Sequence, residues 1–231
     1  MFRFKQFVIH QDRCAMKVGT DGVLLGAWAD VENAARILDI GTGTGLIAMM
    51  LAQRNPNACV DAIEIEENAY RQATENTSVR KERINVFHTP LQSFFPAEKY
   101  DVIVSNPPYF SHSLKNPDKS REIARHTDTL TLQELFLHSK RLLKPGGKLS
   151  IIFPAENMEE KERAKFFSPL QCNRLCKVFP KPNTKEKRLL MEFSLAPADC
   201  IESEIIIENG GRHEYSEEYK ELTKDFYLKF V

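Results

Sequence analysis

The most chemically specific stretch of the sequence is Asn106-Pro107-Pro108-Tyr109, which precedes Phe110 and follows the apolar run of residues 100–104. An amide, two prolines and an aromatic ring at the end of a buried strand suit the recognition of a flat, nitrogen-bearing group. The side-chain oxygen of Asn106 and the main-chain carbonyl of Pro107 can each accept a hydrogen bond from an N–H of the same amino group. That nitrogen would be held towards tetrahedral geometry, with its lone pair exposed to an electrophile.

The two prolines would fix these acceptors in advance, because each proline restricts its own backbone and that of the preceding residue. Tyr109 can stack on a planar base, and a base in a duplex or a stack would have to be flipped out to reach it. Phe110 is also expected to contact the substrate. The alternative is that the prolines only end the strand and Tyr109 packs in the core. The tetrapeptide therefore predicts chemistry on an amino group, but does not identify the molecule that carries it.

A glycine-rich turn follows a predicted strand over residues 35–40. Glycines at this position let the backbone turn sharply and come close to a ligand, with N–H groups of the following helix directed at it. The alternative is a tight strand-to-helix turn with no ligand. The residues of this turn that we expect to contact a ligand are Gly41, Thr42, Gly43 and Gly45.

Two carboxylates accompany the turn. Glu64 ends the next predicted strand, where a carboxylate can accept hydrogen bonds from both ribose hydroxyls of a nucleoside. Asp39 precedes the turn, whose glycines are spaced more tightly than the G-x-G-x-x-G of pyrophosphate-binding turns. A carboxylate there repels pyrophosphate and suits the cationic amino-acid end of S-adenosylmethionine, which we expect as the cofactor. The alternative for both residues is a solvated or capping carboxylate.

The order of the predicted elements indicates an α/β fold. Predicted strands and helices alternate, which implies a parallel sheet covered by helices on both faces. Two further strands are joined by a loop too short for a crossover helix, so they are expected to form an antiparallel hairpin at one sheet edge. The predicted strands are residues 35–40, 60–65, 84–87, 100–104, 148–153, 174–179 and 188–195, and residues 205–207 are strand-like. One helix is expected to begin at residue 46 and a second to follow strand 60–65 and end at about residue 79. Further helices are expected over residues 130–143, over residues 156–167 and from residue 216.

Composition favours one enzyme-sized domain. The chain has 231 residues, 42% of them hydrophobic, and its formal net charge is zero, which argues against strong nonspecific binding to nucleic acid. No apolar run is long enough to span a bilayer, so we expect a cytoplasmic protein. Five scattered cysteines, including the close pair Cys172 and Cys176, favour reduced thiols over disulfides or a metal site.

The residues from Leu38 to Gly45, Glu64 and the tetrapeptide from Asn106 to Tyr109 resemble those of class I S-adenosylmethionine-dependent methyltransferases that methylate amino groups. The resemblance implies a Rossmann-like fold with a seven-stranded, mostly parallel sheet whose last strand is antiparallel. It also implies that Glu64 binds ribose, that the glycine turn holds the methionine moiety and that the tetrapeptide lines the catalytic pocket. The family often places an acidic residue after the third strand to contact the cofactor adenine, whereas this chain offers Gln92.

Both ends of the chain, residues 2–28 and 215–227, resemble bacterial tRNA adenine-N(6) methyltransferases that modify the adenosine beside the anticodon of a valine tRNA. This resemblance implies a tRNA substrate, and we expect a monomer. Same-fold alternatives are methylation of guanine amino groups in rRNA and of protein glutamine. Alternatives of other classes are a nicotinamide dehydrogenase and a noncatalytic RNA-binding module. We expect one domain, with an N-terminal lid (1–34), a core (35–198) and a C-terminal packing segment (199–231).

Three further groups of residues are candidates for binding. Residues 17–23 are expected to fold over the cofactor, with Thr20 and Asp21 offering polar contacts; the alternative is a turn with a helix cap. Basic residues after the tetrapeptide are expected to meet RNA phosphates. They are Lys115, Lys119, Arg121 and Arg125, and the hairpin carries a second basic cluster, Lys181, Lys185, Lys187 and Arg188. Solvated charged faces are the alternative for both clusters.

Overall fold

The structure is a computed structural model that describes residues 1–107, 130–157 and 170–230. Its first half alternates strands and helices after a short N-terminal hairpin. These elements are β1 (Phe2–Arg3), β2 (Val8–Ile9), α1 (Thr20–Trp28), β3 (Arg36–Ile40), α2 (Leu46–Arg54), β4 (Cys59–Glu64), α3 (Glu67–Thr77), β5 (Ile84–His88) and β6 (Tyr100–Ser105). The second half contains α4 (Leu132–Leu142), β7 (Leu143–Pro154), β8 (Gln171–Phe179), β9 (Arg188–Ser194), β10 (Ile201–Ile206) and α5 (Glu217–Thr223). Most of the helix predicted over residues 156–167 lies outside the described ranges.

In the described part of the chain, the main sheet has eight strands in the order β10-β8-β9-β7-β6-β3-β4-β5. β9 is antiparallel to both of its neighbours, β7 and β8, and every other pairing is parallel. The predicted α/β class with a mostly parallel sheet is confirmed. The expected count of seven strands and the edge position of the hairpin are corrected, because β10 pairs with β8 along its length and forms the edge itself.

Side chains of the central strands alternate between two apolar layers. Ile37 and Val102 point into the layer covered by α1, α2 and α5, whereas Leu38 and Ile103 point into the layer covered by α4. Burial on both faces explains why these strands are nearly continuous apolar runs.

Helix α1 is a core element. Residues 22–27 of this helix are buried, and two glycines one turn apart let it approach α2 closely. A Cβ at Gly22 would lie 3.1 Å from Leu46 Cδ2, and one at Gly26 would lie 2.8 Å from Met50 Sδ. Part of the N-terminal segment therefore supports the sheet. None of the described helices is long and apolar enough to cross a membrane.

Candidate active site

The ends of three neighbouring parallel strands bring the predicted site together. In the sheet register, Asp39 of β3 pairs with Ala62 of β4 and with Val104 of β6. The hydroxyl of Ser105 at the end of β6 donates a 2.9 Å hydrogen bond to the carbonyl of Ile40 at the end of β3. The glycine turn after β3, Glu64 at the end of β4 and Asn106 after β6 therefore share the carboxyl edge of the sheet, where open α/β sheets bind ligands.

The glycine turn, residues 41–45, adopts a conformation that favours glycine. Gly41, Gly43 and Gly45 have φ angles of 69°, 56° and 79°. The N–H groups of Gly41 and Thr42 donate to the carbonyl of Ile63, at 3.0 and 3.1 Å, which ties the turn to β4. Apart from the glycine itself and its chain neighbours, no heavy atom of the described residues lies within 4 Å of a Cβ built at Gly41 or Gly43, so the turn leaves room there for a ligand.

Glu64 is held in one orientation by backbone N–H groups. Its Oε2 accepts from Gly43 at 2.9 Å, and its Oε1 accepts from Ile65 at 2.8 Å and from Glu66 at 3.0 Å. The side chain is largely buried, with the residue 8% exposed. A carboxylate fixed in this way beside an open glycine turn fits the ribose hydroxyls of a nucleoside.

Asp39 is fully buried, at 0% exposure. Its Oδ2 accepts from the Thr42 hydroxyl at 2.6 Å and from the Ala48 N–H at 3.1 Å. Its Oδ1 has no hydrogen-bond partner among the described residues. Burial raises the pKa of Asp39 to about 7, and the charge of Glu64 acts in the same direction, whereas the bonds from Thr42 and Ala48 lower it. A buried carboxylate oxygen left unpaired suits a site for a cationic ligand group.

The structure describes half of the tetrapeptide. Asn106 is partly buried and Pro107 is buried directly after β6. Pro108, Tyr109 and Phe110 lie outside the described residues, and so do all four basic residues of the following segment, Lys115, Lys119, Arg121 and Arg125. Their roles remain predictions.

Gln92 lies in a single helical turn, Leu91–Ser93, that follows β5. This position is near the site, because the N–H of Thr89 donates 3.0 Å to the carbonyl of Glu64. The amide of Gln92 is exposed and its Nε2 donates to Glu134 Oε1 at 3.1 Å. The predicted contact between Gln92 and the cofactor adenine therefore stays a prediction, and Glu134 competes for the same amide.

Thr20 and Asp21 lie in the first turn of α1. Asp21 Oδ2 accepts a 2.8 Å bond from Nε of Arg188, the first residue of β9. Two strands, β7 and β6, separate β9 from β3. Thr20 and Asp21 thus lie next to the basic hairpin, where they line a cavity of about 370 Å³. Contact of these two residues with the cofactor stays a prediction.

One contact of the predicted N-terminal lid, between His10 and Asn76, borders the glycine turn and has no counterpart among the sequence predictions. The main-chain N–H of His10 donates to Asn76 Oδ1 at 2.9 Å, and Asn76 Nδ2 donates to the carbonyls of His10 and of Thr44, both at 2.8 Å. Cys14 is buried nearby, with 4% exposure. The available signal was the pair of amides Gln72 and Asn76, which are spaced by one helical turn and buried on α3.

The described ranges contain no group of three or more His, Cys, Asp or Glu residues that could hold a metal ion. Cys172 and Cys176, the close pair in the sequence, are both free thiols. The polar groups of the site are therefore those of the glycine turn, the two carboxylates and Asn106.

Comparison with known proteins identifies the family of this chain. A family model described as "Methyltransferase small domain" matches residues 17–173. A tRNA1(Val) (adenine(37)-N6)-methyltransferase of Parabacteroides distasonis is 50% identical over 232 residues, which cover 99% of this chain and 98% of that one. The protein of the same name from Bacteroides thetaiotaomicron is 49% identical over 230 residues, which cover 98% of this chain and 97% of that one.

Among solved structures, a predicted O-methyltransferase from Agrobacterium tumefaciens superimposes with a TM-score of 0.69 at 19% sequence identity, over 89% of this chain and 96% of that one. At this identity the likeness shows the fold alone. The chain is an enzyme whose cofactor is S-adenosylmethionine, as the methyltransferase family model indicates. With about half of its residues identical over nearly its full length, it belongs to the family of tRNA1(Val) (adenine(37)-N6)-methyltransferases.

Proposed function

We propose that this enzyme transfers a methyl group from S-adenosylmethionine to the N6 amino group of adenosine 37 in tRNA1(Val). The proposal rests on one hydrogen bond between neighbouring strand ends, which the Ser105 hydroxyl at the end of β6 donates to the carbonyl of Ile40 at the end of β3. This hydrogen bond sets Asn106 and Pro107 next to the glycine turn, which supports the proposal that hydrogen-bond acceptors for an amino group lie beside a nucleoside-binding site. The names of the full-length relatives supply the adenine and the tRNA.

The chain's own residues would act mainly by positioning. Glu64 would accept ribose hydroxyls, the glycine turn would hold the methionine moiety and Asp39 would face its cationic end. The bound cofactor supplies a methyl group on a positively charged sulfur. The side-chain oxygen of Asn106 and the carbonyl of Pro107 would each accept a hydrogen bond from one N–H of the adenine amino group. These two hydrogen bonds would direct the nitrogen lone pair at that methyl.

No general base is needed before the transfer. An exocyclic amino group is a weak nucleophile because its lone pair is delocalised into the ring, and two fixed acceptors oppose that delocalisation. As the N–C bond forms and the C–S bond breaks, the nitrogen becomes positively charged and its proton becomes acidic. Because that proton can then leave to water, the site needs no base. It needs only hydrogen-bond acceptors that orient the amino group, as Asn106 and Pro107 can.

The basic hairpin is proposed to hold the tRNA backbone. Residues 180–187 connect the end of β8 to the start of β9, at the carboxyl edge that also bears the cofactor site. Lys181, Lys185 and Lys187 are exposed there. Lysines at this edge can neutralise phosphates while the target base enters the catalytic pocket. An enzyme of this function would act in the cytoplasm, and we propose a monomer.

The test is methyl transfer from labelled S-adenosylmethionine to an unmodified tRNA1(Val) transcript, followed by nucleoside analysis. We expect N6-methyladenosine from the wild-type transcript and none from a transcript with guanosine at position 37. Asn106→Ala should lower kcat about 100-fold, whereas Asn57→Ala, an exposed asparagine just before β4, should leave it unchanged. Label in methylguanosine, or only in protein, would overturn the proposal.

A further inference from the structure

Residues 10–18 form a strap that is fixed along α3. Besides the two bonds between His10 and Asn76, the N–H of Arg13 donates to Gln72 Oε1 at 3.1 Å. Gln72 and Asn76 are 1% and 5% exposed, so both acceptors are buried and committed to the strap. Main-chain groups of the strap make these bonds, which means that its path, more than its side chains, is specified by α3.

Lys17 closes the strap on itself. Its Nζ donates to the carbonyl of Gln11 at 2.5 Å and to the carbonyl of Cys14 at 3.0 Å. The N–H of Val18 also donates to Gln11 Oε1 at 2.7 Å. One ammonium group thus joins the start, the middle and the end of a seven-residue loop, although its own side chain is exposed. An exposed lysine bound to two carbonyls restricts the loop at little cost in desolvation.

The strap lies near both predicted cofactor-binding features, the glycine turn and Glu64. Asn76, which holds His10, also donates to the carbonyl of Thr44 in the glycine turn. In the middle of the strap, Cys14 is buried, and its pKa is raised to about 11 by burial and by the carboxylates of Glu64 and Glu66. The start of the strap therefore borders the glycine turn through Asn76, and Cys14 lies within electrostatic range of Glu64.

We propose that Lys17 is a positioning residue that closes residues 11–17 into a fixed wall of the cofactor site, with Cys14 as the buried inner side of that wall. Lys17 touches neither reacting group; it acts through the loop it closes. Loss of the closure would leave the loop with more conformations, and cofactor binding would then have to order it. The inference concerns cofactor binding, so it does not depend on which RNA is methylated.

Cys14 offers a native probe of the wall. In the wild-type protein, the rate of alkylation of Cys14 by iodoacetamide, followed by mass spectrometry, should fall further when S-adenosylmethionine is saturating. Cys172, a half-buried thiol at the start of β8 on the opposite edge of the sheet, is the internal reference and should keep its rate. Equal Cys14 rates with and without cofactor would overturn the placement of the wall, whatever happens to any variant.

The second test is Lys17→Met, compared with Lys81→Met, an exposed lysine that precedes β5. We expect Lys17→Met to raise both the Cys14 alkylation rate and the Kd for S-adenosylmethionine about tenfold, with kcat at saturating cofactor within about twofold of wild type. Lys17→Arg should restore both values, since a guanidinium can also bond two carbonyls.

Lys81→Met should match the wild type in every measurement. If Lys17→Met had the same Cys14 alkylation rate and the same Kd for S-adenosylmethionine as the wild type, the proposed role of Lys17 would be wrong. A large loss of kcat at unchanged Kd would overturn it as well, because it would place the residue in the chemistry. Alkylation and Kd are measured without tRNA, so failure of the proposed tRNA reaction would leave both tests intact.

Discussion

The backbone N–H of Gly43 donates a 2.9 Å hydrogen bond to Oε2 of Glu64, so the glycine turn and the end of β4 are joined directly. Glu64 also accepts from Ile65 and Glu66, which leaves the carboxylate little freedom to rotate. The glycine turn and Glu64, the two proposed cofactor-binding features, are therefore fixed relative to each other before any ligand arrives. Preorganisation of this kind lowers the entropic cost of binding.

Glu64→Gln should weaken binding of S-adenosylmethionine. A glutamine offers one acceptor oxygen and one NH₂ group, so at least one of the backbone N–H groups now bonded to Glu64 would face another donor. We expect the Kd to rise about 10- to 100-fold, which corresponds to roughly 1.4–2.8 kcal/mol. Calorimetric titration measures it, with the exposed Glu67→Gln on α3 as the control. An unchanged Kd would mean that Glu64 does not contact the cofactor.

Asp39 should make the cofactor-free protein less stable as the pH rises. Burial raises the pKa of Asp39 from 3.8 to about 7 in the folded state. Between these values the folded state binds more protons than the unfolded state, so the free energy of unfolding falls as the pH rises. The stabilisation is complete below about pH 4 and lost above about pH 7, with a slope of at most about 1.4 kcal/mol per pH unit.

Thermal unfolding between about pH 5 and pH 8 measures this effect. The Tm of the wild type should fall relative to that of Asp39→Asn, which cannot ionise at this position. Asp199→Asn, at an exposed site, should follow the wild type throughout. A constant Tm difference between wild type and Asp39→Asn across the range would show that Asp39 keeps an ordinary pKa.

Gly26→Ala should destabilise the fold through the contact of α1 with α2. The new methyl group would lie 2.8 Å from Met50 Sδ and 3.1 Å from Met50 Cβ, closer than such atoms pack. Overpacking costs about 1–3 kcal/mol, and the better helix propensity of alanine returns up to about 1 kcal/mol. Urea unfolding should therefore show a net loss of about 1 kcal/mol.

Met50→Ala supplies the check for this contact. Met50→Ala alone should destabilise the protein by about 2–5 kcal/mol, because it leaves a cavity. The double variant should lose less stability than the two single losses combined, since the Gly26→Ala methyl group enters space that Met50 vacates. Additive losses would place the cost of Gly26→Ala somewhere other than Met50.

The sequence was a good guide to the central strands and a poor one to the edge. β3, β4 and β6 are buried mainly by apolar side chains on both faces, so each is an apolar run that contains a single aspartate and ends in a recognisable turn. β10 contains Glu202 and Glu204 among its isoleucines, and its side chains are mostly exposed. An edge strand with solvent on its faces has no such run, which is why only residues 205–207 had been read as strand-like.

The candidate site divides in the same way. The glycine turn and the position of Glu64 at the end of β4 were predictable, because a backbone with positive φ favours glycine and because a carboxylate directly after an apolar run is visible in the local sequence. The strap lies within the predicted N-terminal lid, but its contacts with α3 were not predictable, because the bond between His10 and Asn76 joins residues 66 positions apart. The absence of a partner for Asp39 Oδ1 in the described part of the chain also depends on packing from several elements, which no local pattern encodes.

Charge reversal in the hairpin should weaken tRNA binding through the phosphates. Lys181 and Lys185 are exposed in the turn between β8 and β9, at the same sheet edge as the glycine turn. Each lysine that neutralises a phosphate releases about one counterion, so its loss lowers affinity and makes affinity less dependent on salt. Lys181→Glu combined with Lys185→Glu should raise the Kd for tRNA about tenfold or more and reduce the salt slope by about two.

The matched control is Lys81→Glu with Lys99→Glu, two exposed lysines that precede β5 and β6 at the opposite edge of the sheet. Both doubles change the net charge equally, so a general electrostatic effect would weaken tRNA binding in both. Weakening confined to the hairpin double, with the Kd for S-adenosylmethionine unchanged, assigns the phosphate contacts to the hairpin. Equal tRNA Kd values for the two doubles would exclude it, because only one pair lies at the edge where the target base must enter.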